Sequence, residues 1–559
     1  MRLPILVAAA IVTALTLPHK TGAQRGPASD TTSRVADRVF DAYRGTDSPG
    51  CALGVSRNGR VVYERGYGMA NLETGTPITP ASIFHVASVS KQFTAMAIML
   101  LAKDGKLSID DDIRKYLPEI PSYGSTITIR HLLTHTSGLR DQWELIALAR
   151  GRFEEDRITE ADVMDIVPRQ TALNFAPGSE YLYSNTGFTL LGVIVKRVSG
   201  KSLREFSDER IFKPLGMTNT HFHDDYTMLV PGRTSAYAMR AGSWHVSIPN
   251  YDTYGATSLF TTVGDLLKWE ANLDNPTVGD RPLIASMETR TPLTGGDTSS
   301  YGFGLVVDRY RGARAIGHNG ADAGYRTSVE RFPDLGLATV VLCNFAAANP
   351  TLLGRRVADA YLGSALAAAT TDVVSQSAAP EVAVSPDKLR ARAGMYLDTR
   401  TMQVNQLTFR DGKLMIGAQG NQALIPISAD RMRSPGPAIV TAVFNDAAST
   451  LDLVPATGRP SHLERHAPLT ATPQLLAAYA GEYVSDELGG VVKRVVAADS
   501  SLTLHSGPGS SLSLRLMFAD TFVGGGYTVQ FTRARGQVTG FDVTNSRIRH
   551  VKFVKRKST

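Results

Sequence analysis

The run from Lys91 to Asp104 (KQFTAMAIMLLAKD) constrains the fold most strongly, because it is helical in character and apolar on most sides. Gly105 follows it and is typical of the residue that ends a helix. A helix that is apolar all round predicts a position at the centre of a large domain, where neighbouring elements cover it on every side. With 559 residues, the chain is long enough for several domains. We expect this helix to lie in the core of the first one.

Strand patterns lie on both sides of this helix in the chain. Cys51–Ser56 and Val61–Tyr67 flank Asn58-Gly59, a dipeptide typical of tight turns. Three further strands and a closing helix are predicted at Ala313–Gly317, Gly324–Arg331, Gly336–Asn344 and Thr351–Ala365. The sequence therefore predicts one mixed domain of helices and strands over residues 24–365.

The chain after this domain has a different composition. Residues 366–384 are rich in Ala, Thr, Ser and Pro, which is typical of an exposed linker, and an all-strand pattern with frequent glycine follows. An internal repeat with a constant offset of 87 residues pairs Ser385-Pro386, Leu389, Ala393-Gly394 and Tyr396 with Thr472-Pro473, Leu476, Ala480-Gly481 and Tyr483. The repeat predicts two similar β-domains at 385–468 and 472–559, each a small antiparallel barrel without exposed edges.

Residues 1–23 have the pattern of an export signal. Arg2 precedes an uncharged run from Leu3 to Leu17, which is short for a bilayer span, and Thr21-Gly22-Ala23 fits a cleavage site. We therefore expect an exported protein, periplasmic or extracellular, without a stable transmembrane segment, and a retained anchor is the alternative. The net charge of +7 is small for this length, which disfavours a nucleic acid as partner.

Ser88-Val89-Ser90-Lys91 is the first of three motifs that can carry chemistry. It has the form S-x-x-K at the start of the apolar helix, where the spacing puts the Ser88 hydroxyl and the Lys91 amine on one face. Burial lowers the pKa of a lysine, so that a neutral amine can act as a base near pH 7. Ser385-Pro386-Asp387-Lys388 has the same form, so a lone match is better interpreted as a helix cap with a solvated lysine.

Tyr183-Ser184-Asn185 and His318-Asn319-Gly320 are the second and third motifs. The phenol of Tyr183 can shuttle a proton, and the Asn185 amide can orient the lysine or bind a substrate amide. A polar turn before a buried helix is the structural alternative for the second motif, and an ordinary turn for the third, whose H-x-G form recurs in His505-Ser506-Gly507. The order of the three motifs within one predicted domain favours a shared catalytic site.

With these motifs, residues 30–365 resemble the serine β-lactamase and penicillin-binding-protein-like hydrolases, in the branch of class C β-lactamases, D-aminopeptidases and esterases. Further matching stretches are Thr128–Leu139 (TIRHLLTHTSGL), Phe175–Gly178, Pro214–Met217 and Gly317–Gly320. The two β-domains resemble those of two-barrel D-aminopeptidases. The resemblance implies an α/β (α+β) fold: an antiparallel sheet flanked by helices, a helical subdomain, and two small antiparallel barrel-like domains.

The resemblance also implies an acyl-enzyme mechanism. Ser88 would attack a carbonyl carbon while Lys91 and Tyr183 take its proton and pass it to the leaving group. The backbone N–H groups of Ser88 and Ala321 would form the oxyanion hole. Water would then hydrolyse the ester, and no metal or organic cofactor is implied. The substrate-binding residues that it implies are Asn185, His318, Asn319 and Gly320.

His318 departs from the family pattern, because most β-lactamases and DD-peptidases have lysine at that position. A lysine can hold a substrate carboxylate, whereas a histidine with the ordinary pKa of about 6.5 is largely neutral at pH 7. We therefore expect a small-molecule or peptide substrate without an obligatory carboxylate, as for an aminopeptidase, amidase or esterase. Arg326 lies nearby in the chain and keeps a β-lactamase or DD-peptidase as the alternative. A non-catalytic, penicillin-binding-like sensor is the third hypothesis.

The two cysteines are expected to be neighbours in the resembled fold. Cys51 begins the first strand and Cys343 ends the last strand of the same sheet. We expect the pair to be two buried thiols, and a disulfide is the alternative.

The last 13 residues hold six basic side chains and no acidic one. They are Arg547, Arg549, Lys552, Lys555, Arg556 and Lys557. We interpret them as a solvated final strand and tail, with contact to an anionic cell-wall polymer as the alternative.

Overall fold

The structure is a computed structural model that describes residues 31–153, 155–367, 380–417, 422–435, 440–455, 459–507 and 510–557. The predicted export signal and most of the predicted linker lie outside these residues. Within them, no helix combines the length and the apolar character that crossing a membrane requires. A mixed region with an antiparallel sheet flanked by helices comes first, and two barrel-like sheets follow it.

Helix α2 is the predicted apolar helix, and it is buried from Lys91 to Leu101. A 3₁₀ turn, Ala87–Ser90, leads directly into it. It packs mainly against α6, whose residues from Asn185 to Val195 are also buried. The α-helices described up to residue 367 are α1 (Thr31–Val39), α2 (Lys91–Lys103), α3 (Ile129–Leu133), α4 (Gln142–Arg150), α5 (Glu160–Ile166), α6 (Asn185–Ser199), α7 (Leu203–Ser207), α8 (Lys213–Leu215), α9 (Val263–Asp274), α10 (Arg281–Met287) and α11 (Pro350–Leu362).

A six-stranded antiparallel sheet, in the order β12-β13-β14-β15-β1-β2, organises the first region. The first and last parts of the region thus meet, because β1 pairs with both β2 and β15. The strands of the region are β1 (Cys51–Arg57), β2 (Arg60–Tyr67), β3 (Met69–Asn71), β4 (Thr76–Pro77), β5 (Phe84–His85), β6 (Ile158–Thr159), β7 (His221–Phe222), β8 (Tyr237–Arg240), β9 (Ser243–Val246), β10 (Tyr251–Asp252), β11 (Leu259–Thr261), β12 (Val306–Tyr310), β13 (Ala313–Asp322), β14 (Tyr325–Phe332) and β15 (Leu337–Cys343).

Both faces of the central strands β1 and β15 are buried, and successive side chains alternate between these faces. Leu53 and Val341 belong to the apolar cluster on the face covered by α1 and α11. Ala52 and Leu342 belong to the large cluster on the other face, where α9 packs on β1 and β15. The alternation follows from the two-residue period of a strand, and it explains why β1 and β15 are mostly apolar on both faces.

Cys51 and Cys343 form a disulfide, so the expectation of two buried thiols is wrong. The two residues are direct partners in the antiparallel register of β1 and β15, and their Cα atoms are 4.0 Å apart. Directly opposed residues of an antiparallel pair bring their Cβ atoms within the reach of a disulfide. The sequence had placed the cysteines at neighbouring strand ends, but not their exact register.

The described residues of the C-terminal part are mostly strand, with two short α-helices, α12 (Pro386–Arg392) and α13 (Pro473–Ala477), and a 3₁₀ turn at Asp486–Leu488. The first sheet has the order β19-β18-β17-β16-β24-β23-β22-β21-β20, and the second, β25 to β32, closes as a barrel through pairing of β25 with β32. The strands are β16 (Gly394–Asp398), β17 (Val404–Arg410), β18 (Lys413–Ile416), β19 (Gln422–Ala423), β20 (Ile425–Pro426), β21 (Arg431–Arg433), β22 (Val440–Asn445), β23 (Thr450–Pro455), β24 (Ser461–His466), β25 (Gly481–Ser485), β26 (Val491–Ala497), β27 (Leu502–Gly507), β28 (Ser510–Phe518), β29 (Thr521–Gly524), β30 (Tyr527–Ala534), β31 (Gln537–Thr544) and β32 (Val551–Lys555).

The repeated residues make the same contact in both sheets. The Tyr396 hydroxyl donates a hydrogen bond to the carbonyl of Arg392, at 2.9 Å, and the Tyr483 hydroxyl donates to that of Tyr479, at 2.6 Å. Each tyrosine thus ties the first strand of its sheet to the end of the preceding short helix, four residues back. The sequence repeat is therefore a structural repeat.

The second barrel is attached to the first region by a buried ion pair. The Arg140 guanidinium is 2.9 Å from Glu487 Oε1, and only 1 % and 5 % of the two side chains are exposed. Arg140 also donates to the backbone carbonyls of Arg549 and His550, at 3.0 and 2.9 Å. Glu487 accepts further hydrogen bonds from the backbone and side chain of Thr171. Because Arg140 and Glu487 are both buried, the contact fixes the barrel on the first region.

We predict that Glu487→Gln lowers the free energy of unfolding by about 3 kcal/mol or more, because it leaves the Arg140 cation buried without its anionic partner. Urea denaturation measures the change. Glu482→Gln is the matched control, since Glu482 lies in the same barrel, is half exposed and pairs with Arg556 at 3.5 Å. Its loss is expected to stay below about 1 kcal/mol. Equal losses in the two variants would contradict this assignment.

Candidate active site

The turn that carries Ser88 holds a backbone conformation unusual for its residues. Ala87 has a φ of +48°, in the left-handed region that a residue with a Cβ rarely adopts. Ser90 fastens the turn, because its hydroxyl donates to the Ala87 carbonyl at 2.6 Å and accepts from the backbone of Leu259 at 3.0 Å. Ser88 therefore precedes α2 on a fixed 3₁₀ turn, and Lys91 is the first residue of the α-helix.

Lys91 is fully buried and has three oxygen acceptors. Its amine donates to Ser88 Oγ at 3.1 Å, to Asn185 Oδ1 at 2.9 Å and to the Ala256 carbonyl at 2.6 Å. Burial lowers the pKa of Lys91 to about 7, although the carboxylates of Asp322 and Asp141 oppose this effect. A large share of the amine is therefore neutral near pH 7 and can accept the proton of the Ser88 hydroxyl.

Tyr183 lies against the lysine. The Lys91 amine is 4.8 Å from the centre of the Tyr183 ring. Burial raises the pKa of the phenol well above its ordinary value, while the neighbouring Ser88 hydroxyl opposes that rise. Tyr183 is therefore a neutral phenol in the resting site. Tyr183 can relay a proton between Lys91 and a leaving group, but it is not deprotonated in the resting site and so does not act there as a phenolate base.

Asn185 begins α6, and Asp141 holds it there. The Asn185 backbone N–H and side-chain amide both donate to Asp141 Oδ2, at 2.7 and 2.9 Å. With its NH₂ group turned toward Asp141, the amide presents its oxygen to Lys91. Orientation of the lysine is thus the role that these contacts show, and contact of Asn185 with substrate stays a prediction.

The third motif lies within a strand rather than at its end, since β13 continues to Asp322 instead of ending at Gly317. Pairing with β12 stops at Gly317, so the second half of β13 packs against the Ser88 turn instead. Gly320 permits this approach, because a Cβ there would lie 2.4 Å from the Val86 carbonyl oxygen. Ala321 follows, exposed, beside the turn. The strand thus brings the two predicted oxyanion-hole residues, Ser88 and Ala321, to neighbouring elements.

His318 is buried and neutral. Its Nδ1 lies 2.5 Å from the Asn319 carbonyl, which can only accept, so Nδ1 carries the proton and Nε2 accepts from the Tyr301 hydroxyl at 2.8 Å. Burial, with the nearby charge of Lys91, lowers the pKa of His318 to about 3. Arg326 donates to the carbonyls of Ala323 and Tyr325 at 2.8 and 2.7 Å. The third motif therefore presents a neutral ring where a lysine would present a cation.

Four site residues were missed by the sequence interpretation. His135 packs its ring on Tyr183 at 4.2 Å and on Tyr301 at 4.6 Å, and its Nδ1 accepts from the Ser184 backbone at 3.2 Å. His135 and Asp141 lie in or just after the matching stretch Thr128–Leu139, which was the available signal. Tyr301 and Arg547 stand in no motif, so the sequence carried no signal for them.

Arg547 reaches the site from the second barrel. Its guanidinium carbon is 5.5 Å from the centre of the Tyr183 ring. Arg549, two residues on, is 6 % exposed and pairs with Glu180 at 3.0 Å. The interpretation of the basic C-terminal residues as a solvated tail is therefore wrong for these two, because the loop before β32 docks on the first region.

The part of the chain that the structure describes contains no candidate metal site. There, no group of three or more histidine, cysteine, aspartate or glutamate side chains is arranged to hold a metal ion. The chemistry that the site can support with its own residues is nucleophilic attack by Ser88, with Lys91 as base.

Comparison with known proteins finds a matching family and related sequences. The Beta-lactamase family description matches residues 36–363, more than half of the chain. A D-aminopeptidase of Brucella anthropi is 29% identical over 303 residues, which are 54% of this chain and 57% of that protein. Penicillin-binding protein 4* of Bacillus subtilis is 30% identical over 307 residues, which are 52% of this chain and 66% of that protein. The chain thus spans less than two thirds of either relative.

The fold also matches solved structures. The octameric penicillin-binding protein homologue from Pyrococcus abyssi superposes with a TM-score of 0.55 and 23% identity, covering 78% of this chain and 100% of that one. At this identity the likeness concerns the fold.

We predict that kcat/KM for an uncharged ester rises with pH and levels off above an apparent pKa near 7. Lys91 must be deprotonated to accept the Ser88 proton, so activity is lost as pH falls below the pKa of its amine. Initial rates between pH 5 and 9 measure the profile. Lys103→Met is the control, because Lys103 ends the same helix but is half exposed and pairs with Asp280. A flat wild-type profile would contradict the role of Lys91.

Proposed function

The chain belongs to the Beta-lactamase family, and we propose that it is an exported serine hydrolase that cleaves D-amino-acid peptides, amides or small esters through an acyl-enzyme on Ser88. The observation that carries the proposal is the 3.1 Å hydrogen bond between Ser88 Oγ and a lysine whose pKa burial lowers to about 7. A serine hydroxyl is a weak nucleophile until such a base stands beside it.

The proton follows the contacts of the site. Lys91 takes the proton of Ser88 as Oγ bonds to the substrate carbonyl carbon. Tyr183 donates its proton to the leaving nitrogen or oxygen as the bond to that carbon breaks, and the Lys91 ammonium reprotonates Tyr183, which leaves the amine neutral again. The backbone N–H groups of Ser88 and Ala321 stabilise the oxyanion. In the second half, water gives a proton to the same base as its oxygen bonds to the ester carbon, and the base returns that proton to Ser88 Oγ as the ester bond breaks. No step needs an oxidant, reductant or metal.

The substrate class follows from His318. With a neutral imidazole in the third motif, the site lacks the lysine that holds a substrate carboxylate at that position in most β-lactamases and DD-peptidases. Arg326 does not replace that lysine, since its guanidinium is turned to carbonyl oxygens of its own turn. The similarity to D-aminopeptidases supports amide substrates of D-amino acids. The similarity to penicillin-binding protein 4* keeps a β-lactam or peptidoglycan substrate as the second candidate.

Export is supported by the disulfide. Disulfides persist in oxidising compartments and are rare where thiols are kept reduced. The Cys51–Cys343 bond therefore agrees with the predicted signal at residues 1–23, which lies outside the described residues.

The proposal predicts turnover that depends on Ser88. The protein and its Ser88→Ala variant are compared on p-nitrophenyl butyrate, D-alanine p-nitroanilide and a chromogenic cephalosporin. We expect wild-type turnover of the ester or the anilide, little on the cephalosporin, and a loss of at least about a thousandfold in the variant. Ser385→Ala is the control, since Ser385 stands in the second S-x-x-K but only caps α12. Fast cephalosporin turnover would favour the second candidate, and turnover that survives in Ser88→Ala would overturn the mechanism.

A further prediction distinguishes proton donation by Tyr183 from proton abstraction by Lys91. Tyr183→Phe keeps the ring beside Lys91 but removes the hydroxyl, so it should slow D-alanine p-nitroanilide by about a hundredfold or more. The loss on p-nitrophenyl butyrate should be much smaller, because nitrophenolate leaves without being protonated. Tyr116→Phe removes a hydroxyl bound to Asp111 and serves as control. Equal losses on both substrates would assign Tyr183 a structural role only.

A further inference from the structure

The loop of residues 545–550, between β31 and β32 of the second barrel, is fixed against the first region on both sides of Arg547. The Asn545 amide donates to Glu144 Oε2 at 2.6 Å. Asn174 donates to the Arg547 carbonyl at 2.9 Å and accepts from the Arg549 backbone at 2.7 Å. Asn545 Oδ1 also accepts from the backbone of Arg547 at 2.8 Å. The backbone of Arg547 is therefore held in place before any ligand arrives.

The side chain of Arg547 borders the catalytic groups. Its guanidinium lies 5.5 Å from the centre of the Tyr183 ring and 4.0 Å from Asp141 Oδ2. Asp141 is fully buried, whereas 39 % of the Arg547 side chain is exposed. The cation thus faces solvent beside the Lys91–Tyr183 pair, and its charge acts on both of these groups. A fixed, partly exposed guanidinium beside reacting atoms is suited to binding an anion that a substrate carries there.

The Arg547 guanidinium does not occupy the position of the lysine that His318 replaces in the third motif. His318 lies on β13 and accepts a hydrogen bond from the Tyr301 hydroxyl. Arg547 instead approaches Tyr183 from the side of Asp141, the residue that holds Asn185. A carboxylate that would meet a lysine in the third motif meets a neutral ring here. A carboxylate placed nearer to Tyr183 and Asp141 meets a guanidinium.

We propose that Arg547 recognises a carboxylate that the substrate carries next to the scissile bond, so that the second barrel supplies a specificity determinant to the catalytic site. The inference rests on the proposed hydrolase function and adds to it a preference for substrates that carry this carboxylate, while neutral substrates are still turned over. The carboxylate belongs either to the acyl half of the substrate or to its leaving group, and the guanidinium binds it in the same way in both cases. Asp141 lies 4.0 Å from the guanidinium and helps to orient it, while 39 % of the Arg547 side chain is open to solvent.

Two pairs of substrates test the two sources of the carboxylate. D-glutamic acid α-p-nitroanilide and D-glutamine p-nitroanilide differ by one charge in the acyl half. D-alanylglycine and D-alanylglycinamide differ by one charge in the leaving group. In at least one pair, we expect wild-type kcat/KM to favour the charged member by roughly ten- to a hundredfold, the range for a hydrogen bond to a charged group.

Arg547→Gln should abolish this preference, and Arg547→Lys should retain part of it, because a lysine keeps the charge but loses the planar fork. The readout is the ratio of kcat/KM for the charged substrate to kcat/KM for the neutral substrate of the same pair. A general loss of folded protein or of catalysis lowers both values and leaves this ratio unchanged. Arg556→Gln is the matched control. It removes one positive charge from the same barrel, at a half-exposed residue paired with Glu482, and should leave both ratios as in the wild type.

The outcomes separate this inference from the proposed function. Ser88-dependent turnover with no charge preference, or with a preference that Arg547→Gln leaves intact, overturns the role of Arg547 alone. Loss of the preference in Arg556→Gln as well would assign it to the net charge of the barrel and overturn the inference too. The same pairs are also titrated by calorimetry into Ser88→Ala protein, with and without Arg547→Gln. This binding test decides the role of Arg547 even if the chain turns over none of the substrates.

Discussion

Burial of the Lys91 amine is the constraint on which the rest of the catalytic region depends. An amine removed from water must be given hydrogen-bond acceptors, or its burial destabilises the fold. The three acceptors come from separate parts of the chain: the Ser88 turn, the start of α6 at Asn185 and the Ala256 carbonyl before β11. These segments must therefore meet at one nitrogen. None of the three acceptors is a carboxylate, so the amine stays easy to deprotonate, and the packing that satisfies Lys91 also makes it a base.

The position of Ser88 depends on a strained backbone turn and on the close approach of β13 to that turn, and the strain costs free energy of folding. Ala87 is held at a φ of +48°, a conformation that costs about 1 kcal/mol or more for a residue with a Cβ. The turn is fastened by Ser90 and covered by β13 at Gly320, where a larger residue would collide with the Val86 carbonyl. A strained backbone conformation persists only where packed neighbours hold it on several sides. Here β11, β13 and α2 provide those sides, and they aim Ser88 at the same space as Ala321.

Local patterns were sufficient to predict the elements that local forces determine. The apolar run predicted α2, and the 87-residue repeat predicted paired sheets whose Tyr396 and Tyr483 make equivalent contacts. A motif alone was not sufficient, because Ser385, in the second S-x-x-K, only caps a short helix. The disulfide and the place of Arg547 could not be predicted, since both depend on register and docking between distant segments. Tyr301 is a third such case, as its contact with His318 is set by the sheet and not by spacing in the chain.

Two consecutive residues link the second barrel to the catalytic groups. Arg140 binds the barrel through Glu487 and through the backbone of the loop that carries Arg547. Asp141, the next residue, accepts both hydrogen bonds from Asn185, whose amide oxygen accepts from Lys91. A shift of the barrel would therefore act on the base through two covalently adjacent residues, and it would move the Arg547 charge at the same time. The barrel is for this reason part of the electrostatic environment of the site, although more than 450 residues separate Arg547 from Ser88 in the chain.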